Sequence, residues 1–208
     1  GSLPKKKRDE KWQDIKMRYP KGKINKEVTK GQEKQSSVRL IFTGDFEWND
    51  DNKFKLEALT NVLNIKLRES IREEESGTYG VYSFGRPSQY PKPTYRIDIG
   101  FGANPDRVTE LVTKIEELIK EIQRLEVDDS YIQKVKEQFK RQFEKDQKEN
   151  RFWLTQIYEN LFNGSDLSNI LKFNEQVDKL SAQDIKFAAQ YFFNWNNYAK
   201  FVLYPEKK

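Results

Sequence analysis

The chain has 208 residues, of which 36% are hydrophobic, 34% charged and 13% aromatic, which suits one folded domain. It contains no cysteine and no histidine, which excludes disulfides, thiolate nucleophiles, imidazole metal ligands and Ser-His or Cys-His catalytic pairs. The net charge of +5 is uneven, because residues 1–35 hold 12 Lys/Arg and 5 Asp/Glu whereas residues 36–208 hold 26 and 28. The body is therefore near neutral, which disfavours a nucleic-acid-binding face on the fold itself. No apolar run approaches the roughly 20 residues that span a bilayer.

The first 22 residues are polar and basic, with few apolar anchors. We expect residues 1–22 to be an expression scar, Gly1-Ser2, followed by a basic interdomain linker. The Pro-Lys-Lys-Lys-Arg run at 4–8 also resembles a nuclear-import signal or a nucleic-acid arm, but a solvated interdomain linker is the favoured explanation. The folded domain is expected to occupy residues 23–208.

Hydrophobic periodicity predicts the elements of the first half. Alternating patterns predict strands over 23–29, 38–43, 79–84 and 95–101, the last two joined as an antiparallel hairpin. The polar run at 49–52 supplies N-caps for a long helix that reaches about residue 74. Its apolar residues recur every three or four positions: Leu56, Leu59, Leu63, Leu67 and Ile71.

The second half is predicted to be mainly helical. Asn104-Pro105-Asp106 provides an N-cap, a proline at N1 and an acid in the first turn, so a helix is expected to about residue 124. Further helices are predicted over 129–148, on through the aromatic stretch that ends near 162, and over 167–175. Ser181 and Asp184 resemble a capping box for another helix, and a last strand covers 198–204. This order predicts an α+β fold with a largely antiparallel sheet and helices packed on one face.

Common enzyme motifs are missing. The carboxylates at 73–75 are consecutive and would face different sides of a helix, so we expect no metal site in this chain. Gly100-Phe101-Gly102 lacks the rest of a dinucleotide fingerprint and is better explained as a strand-to-helix turn. Asn163-Gly164-Ser165 has the form of a glycosylation sequon but is typical of a helix-ending turn.

One pair of residues is chemically suggestive. Arg72 is expected in the last turn of the long helix and Tyr79 at the start of the next strand, with a glycine turn between them. Such a turn can bring both side chains to the same end of the sheet. A guanidinium offers five fixed donors and a phenol offers an O–H for a carbonyl or an oxyanion. The same residues also suit a plain structural role, since an arginine complements the helix dipole and a tyrosine favours strands.

The stretch Leu67–Val81 resembles the arginine–tyrosine motif of insulinase/pitrilysin-type zinc metallopeptidases, in which the tyrosine follows the arginine by seven residues, as Tyr79 follows Arg72. The strand ending at Gly44 before a long helix, the helix start at 104–106, the segment at 150–154 and the final strand at 201–205 resemble the same family in the same order. The resemblance covers residues 23–205. It identifies the chain as the C-terminal domain without a metal site, from a bacterial member.

The resemblance implies a specific role. The family's inverted zinc motif, His-x-x-Glu-His, is absent here, so zinc is expected in an earlier, N-terminal domain or partner subunit. Two halves of such enzymes enclose a chamber. Arg72 and Tyr79 would then reach the bound peptide and its scissile carbonyl, while this chain alone would be inactive.

Two other functions stay open from the sequence. The chain could be a scaffold or assembly domain of the same fold with no role in proteolysis. The chain could also be a nucleic-acid-binding domain that uses the basic arm, but the near-neutral body makes this alternative less consistent with the sequence.

Overall fold

The computed structural model describes residues 13–72 and 78–206. Within them lies one five-stranded sheet, in the order β1-β5-β2-β4-β3. The strands are β1 Ile24–Thr29, β2 Ser36–Asp45, β3 Thr78–Ser88, β4 Thr94–Ala103 and β5 Tyr198–Tyr204.

The helices form the rest of the domain. They are α1 Asp50–Arg72, α2 Val108–Arg124, α3 Asp129–Asp146, α4 Asn150–Asn163, α5 Phe173–Lys179 and α6 Ala182–Phe192. Short 3-10 turns at Pro105–Arg107 and Leu167–Ile170 precede α2 and α5. No helix in the described ranges combines the length and apolar character needed to cross a bilayer.

The sheet is largely antiparallel, as predicted. β2 pairs antiparallel with β4 and with β5, and β3 pairs antiparallel with β4. The exception is β1, which pairs parallel with β5 from Ile24 opposite Ala199 to Thr29 opposite Tyr204. The predicted hairpin forms, with a connection of residues 89–93 that is shorter than expected because β3 continues to Ser88.

The core lies between one face of the sheet and the helices. Alternate residues of β2 and β4 are buried on that face: Val38, Leu40, Phe42, Ile97, Ile99 and Phe101. They pack in one cluster with the apolar faces of α1, α2, α3 and α6, which include Leu59, Leu63, Ile115, Val135 and Ile185. The prediction of an α+β domain with helices on one face is confirmed.

One detail of the predicted helices was wrong. The α2 region opens with the 3-10 turn at Pro105–Arg107, and the Asn104 side chain makes no capping hydrogen bond. Other helix predictions are confirmed. The region 129–162 holds two helices, and the backbone turns between Asp146 and Asn150. The capping box of Ser181 and Asp184 is present, and Gly164 closes α4 in the left-handed conformation.

Candidate functional site

The structure places the backbones of the predicted pair at two adjoining element ends. Arg72 is the last residue of α1, and Tyr79 is the second residue of β3. The carboxylates at 73–75, the turn at 76–77 and the side chains of Arg72 and Tyr79 lie outside the described part of the molecule. The joint geometry of the two side chains therefore stays a prediction.

The end of α1 that carries Arg72 is held by polar contacts to α2 and α3. Lys66 pairs with Glu121 at 3.0 Å, and the Lys114 ammonium donates to the Ser70 carbonyl at 3.1 Å. Glu69 accepts a hydrogen bond from the Tyr131 hydroxyl at 2.6 Å. A cation that binds the last carbonyls complements the negative end of the helix dipole. The backbone of this helix end is thus fixed on the domain.

Glu69 is also an electrostatic anchor. Hydrogen bonds from Lys134, at 2.8 Å, and from Tyr131 lower the pKa of the Glu69 carboxyl. The same carboxylate raises the pKa of the Tyr131 phenol to about 12, because the neutral phenol donates to it. At neutral pH the contact is therefore a charged acceptor with a protonated donor, which is among the stronger hydrogen bonds.

The start of β3 is irregular where Tyr79 lies. Thr78 pairs with Ala103 and Val81 with Phe101, so the register shifts between them by one residue. Gly80 adopts a φ of +90°, in the range that favours glycine. Such a bulge bends an edge strand and re-aims the side chains beside it.

A side chain of α1 covers the free edge of β3. The Asn64 amide donates to the Ser83 carbonyl at 2.8 Å and accepts from the Ser83 N–H at 2.6 Å. The Ser83 hydroxyl in turn donates to the Thr60 carbonyl at 3.0 Å. These bonds imitate a neighbouring strand, so they protect the edge from pairing with other chains and couple β3 to α1.

The other face of the sheet has no helix packed on it among the described elements. It carries exposed apolar side chains from three strands: Val28, Tyr82, Phe84, Phe201 and Leu203. Basic residues lie between them by strand register: Lys26 beside Phe201, Arg39 beside Gly100 and Arg86 beside Arg96. We call this surface the open sheet face. An apolar surface with interspersed donors is suited to an extended peptide.

Aromatic rings on the open sheet face are ordered against it. The rings of Tyr82 and Phe84 stack with centroids 5.9 Å apart, and the Arg86 guanidinium lies 5.1 Å from the Phe84 centroid. Asp98, which is almost fully buried, accepts from Arg96 Nε at 2.6 Å. This hydrogen bond to Asp98 raises the pKa of Arg96. Sequence reasoning did not assign a function to Tyr82 and Phe84, although their alternation with Val81 and Ser83 places them on the same face.

The residues present do not suit zinc. No group of three or more His, Cys, Asp or Glu side chains within residues 13–72 and 78–206 is placed to hold a metal ion. The sequence supplies no histidine or cysteine at all. Zinc in proteins is held by such nitrogen and sulfur ligands, often with one carboxylate, so no metal step is assigned to this chain.

Comparison with known proteins identifies the family. The family model described as the peptidase M16 inactive domain matches residues 1–139, about two-thirds of the chain. The chain belongs to this family of peptidase M16 inactive domains. The resemblance to insulinase-type peptidases is thereby confirmed. The match begins within the segment that we expected to be a linker, and it includes both Arg72 and Tyr79.

Individual relatives of this M16 domain are longer proteins. A probable zinc protease PqqL of Haemophilus influenzae is 28% identical over 103 residues, which are 50% of this chain and 11% of that protein. The solved periplasmic protease PqqL of Escherichia coli superposes with a TM-score of 0.76 at 20% identity, covering 90% of this chain and 21% of that one. The solved structure of a peptidase M16 inactive domain from Pseudomonas fluorescens superposes with a TM-score of 0.75 at 19% identity. The match covers 90% of this chain and 45% of that one. The chain thus spans a tenth to less than half of these relatives.

Proposed function

We propose that this M16 domain is the C-terminal substrate-binding part of an insulinase-type zinc peptidase. It is itself non-catalytic and supplies Arg72 and Tyr79 to a peptide that is bound at a zinc site in another domain. The observation that carries the proposal is the match to the M16 inactive domain in a chain without histidine or cysteine. Zinc is accordingly assigned to an N-terminal domain of the parent or to a partner subunit.

The local structure supports a role for Arg72 and Tyr79. α1 delivers Arg72 from a helix end that Lys114, Glu69 and Lys66 hold in place. β3 delivers Tyr79 beside a bulge at the corner of the open sheet face. A fixed guanidinium can orient a peptide, and a phenolic O–H can stabilise an oxyanion that develops at the scissile carbonyl.

The α4 helix supports docking to another domain. It is rich in aromatic and aliphatic residues, yet none of its residues is buried in the described structure. Leu154, Ile157 and Leu161 form one exposed stripe at helical spacing, with Leu154 72% and Leu161 64% exposed. A helix that is apolar on its outer face normally has a partner. We assign this α4 stripe to the contact with the catalytic domain or partner subunit.

The decisive experiment uses the intact parent enzyme. Tyr79→Phe removes one O–H and keeps the ring, so we expect kcat to fall about 100-fold with little change in melting temperature. Arg72→Ala removes a positioning donor, so we expect kcat/KM to fall.

A purely structural role for the two residues would give the reverse result. Loss of dipole compensation and of strand packing would lower stability by about 1 kcal/mol and leave turnover per folded molecule unchanged. Melting temperature and turnover are therefore measured on the same two variants. Normal turnover in both would favour the scaffold alternative.

A further inference from the structure

A large groove lies at the other end of α1, away from the Arg72–Tyr79 corner. It has a volume of about 830 Å³ and is formed by the N-terminal half of α1, the β3–β4 connection and helices α3, α4 and α5. Its wall contains many aromatic side chains. We call it the aromatic groove; its rings include Trp48, Phe54, Tyr90, Phe143, Tyr158 and Phe162.

The charged residues of the aromatic groove are mostly acidic. Asp50, Glu57, Asp146 and Glu159 line it, against Lys53 as the one basic lining residue in the described structure. Lys53 is already paired with Asp50, and its ammonium lies 4.8 Å from the centre of the Trp48 ring. This contact shows that a ring of the groove wall can hold an ammonium group by a cation–π interaction.

Of the four groove carboxylates only Asp50 has a basic partner among the described residues, whereas Glu57, Asp146 and Glu159 form no ion pair there. Glu57 is the one of these three that lies on α1. It lines the groove from α1, one turn after Lys53 and Phe54, and its side chain is exposed. Within residues 13–72 and 78–206, no hydrogen bond or ion pair to its carboxylate is found. Partial desolvation by the surrounding groove wall raises the pKa of Glu57.

The same wall has two further unsatisfied groups. Trp48 Nε1 and Gln89 Oε1 are buried and have no hydrogen-bond partner in the described structure. Buried polar atoms in folded proteins are nearly always paired. The Gln89 oxygen could accept from a cationic head, whereas the Trp48 N–H could pair only with an acceptor such as a peptide carbonyl.

We propose that the aromatic groove binds a lysine or arginine side chain of the peptide substrate. The apolar stem of that side chain lies among the rings, and its cationic head pairs with the Glu57 carboxylate. The inference rests on the proposed peptide-handling function. Glu57 lies about 22 Å from Arg72 along the α1 axis, at 1.5 Å per residue, so the groove selects a residue remote from the scissile bond.

Charge complementarity favours a cationic side chain over an apolar protein surface as the occupant of the groove. An apolar partner would bury the Glu57 carboxylate unpaired, which costs free energy that a cationic side chain restores. A lipid or nucleic-acid phosphate would meet four carboxylates and is disfavoured by the same charges.

The test uses the 208-residue chain and two blocked peptides. The probe is acetyl-Ala-Phe-Lys-Phe-Ala-amide, and its match has norleucine in place of lysine, which keeps the stem and removes the ammonium. We expect calorimetry to show the lysine peptide binding about tenfold more tightly, because one charge-assisted pair distinguishes the two.

Variants locate the site. Glu57→Gln should lower the affinity for the lysine peptide about tenfold, to that of the norleucine peptide, and leave the norleucine peptide unchanged. Phe162→Ala, at an exposed ring of the groove, should weaken both peptides. Glu137→Gln is the matched control, since Glu137 pairs with Arg141 on the exposed face of α3 and should affect neither.

Three results would overturn the proposal. These are equal affinity for the two peptides, binding of neither peptide, and an unchanged lysine-peptide affinity in a folded Glu57→Gln protein. Equal affinity would make the groove an apolar docking surface for another domain. None of these measurements involves zinc or turnover, so failure here is distinguishable from failure of the assignment of Arg72 and Tyr79.

Discussion

Glycine at position 100 allows an aromatic ring to lie directly on the open sheet face. A Cβ at Gly100 would come within 2.4 Å of the Tyr82 ring, whereas a Cβ at Gly85 would come within 2.7 Å of Leu56 in the core. Gly100 thus makes room for a surface ring, and Gly85 makes room for a core side chain. Gly100 lets the Tyr82 ring lie on the open sheet face, and Gly85 lets β3 pack closely on α1.

This contrast predicts different outcomes for the same substitution at the two positions. Gly100→Ala should displace the partly exposed Tyr82 ring and change the free energy of unfolding by less than about 1 kcal/mol, because the ring can move into solvent. Gly85→Ala should destabilise by about 1–3 kcal/mol, because Leu56 is fully buried and cannot move freely. Urea unfolding measures both. An equal loss in the two variants would contradict this account of the Tyr82 ring.

Two helix starts with similar capping sequences, at Ser181 and at Asn104, form different contacts in the structure. The Ser181 hydroxyl accepts from the Asp184 N–H at 3.2 Å, and the Asp184 carboxylate accepts from the Ser181 N–H at 3.0 Å. Asn104 has an equally favourable sequence, but its side chain caps nothing in the structure. A proline-led 3-10 turn follows Asn104 instead, so the local geometry differs from that of a helix N-cap.

We expect Ser181→Ala to lower stability by about 1 kcal/mol, as loss of an N-cap does in other helices. Asn104→Ala is the control and should change stability by less than about 0.5 kcal/mol. Thermal unfolding of the two variants tests this. If the asparagine variant proved as damaging as the serine variant, the capping assignment at Ser181 would lose its support.

At the scale of the whole molecule, the exposed stripe on α4 is the surface that we propose for contact with another domain. Leucines that are mostly exposed, such as Leu154 and Leu161, add little to the stability of the isolated domain, since they bury little area in it. Their proposed contribution lies in the interface with the rest of the peptidase. The scaffold alternative would use the same surface, so association and catalysis have to be measured separately.

The double change Leu154→Glu and Leu161→Glu should leave the melting temperature of the isolated chain unchanged and weaken its association with the separately produced remainder of the parent. Analytical ultracentrifugation of the mixture measures the association. Arg141→Glu on the exposed face of α3 is the control for added negative charge. Unaltered association in the double variant would remove α4 from the interface.

The isolated chain should neither retain stoichiometric zinc nor hydrolyse peptides. The reason is that it has no histidine or cysteine, and its described carboxylates form no cluster that could hold a metal ion. Metal analysis after dialysis and a quenched-peptide assay test the two statements. One tightly held zinc per chain, or turnover that a chelator abolishes, would refute them.

The sequence alone determined most elements of the fold and its class. Periodicity is local, so the alternation in β2 and β4 and the helical spacing in α1 and α2 predicted strands and helices that the structure contains. Spacing also placed Arg72 at a helix end and Tyr79 at a strand start. The family's role for that pair came from resemblance, and no local pattern could supply it.

Only the tertiary structure decided which surfaces face solvent and which distant residues meet. The aromatic groove joins Trp48, Glu57, Phe143 and Phe162, which belong to separate elements, so no local spacing predicts their meeting. The apolar pattern of α4 does not tell which of its residues are covered: Phe152 packs on Phe143, whereas Leu154 and Leu161 stay exposed in the described structure. The burial of an apolar helix face depends on which other element packs against it. The periodicity of the sequence shows only that the face is apolar.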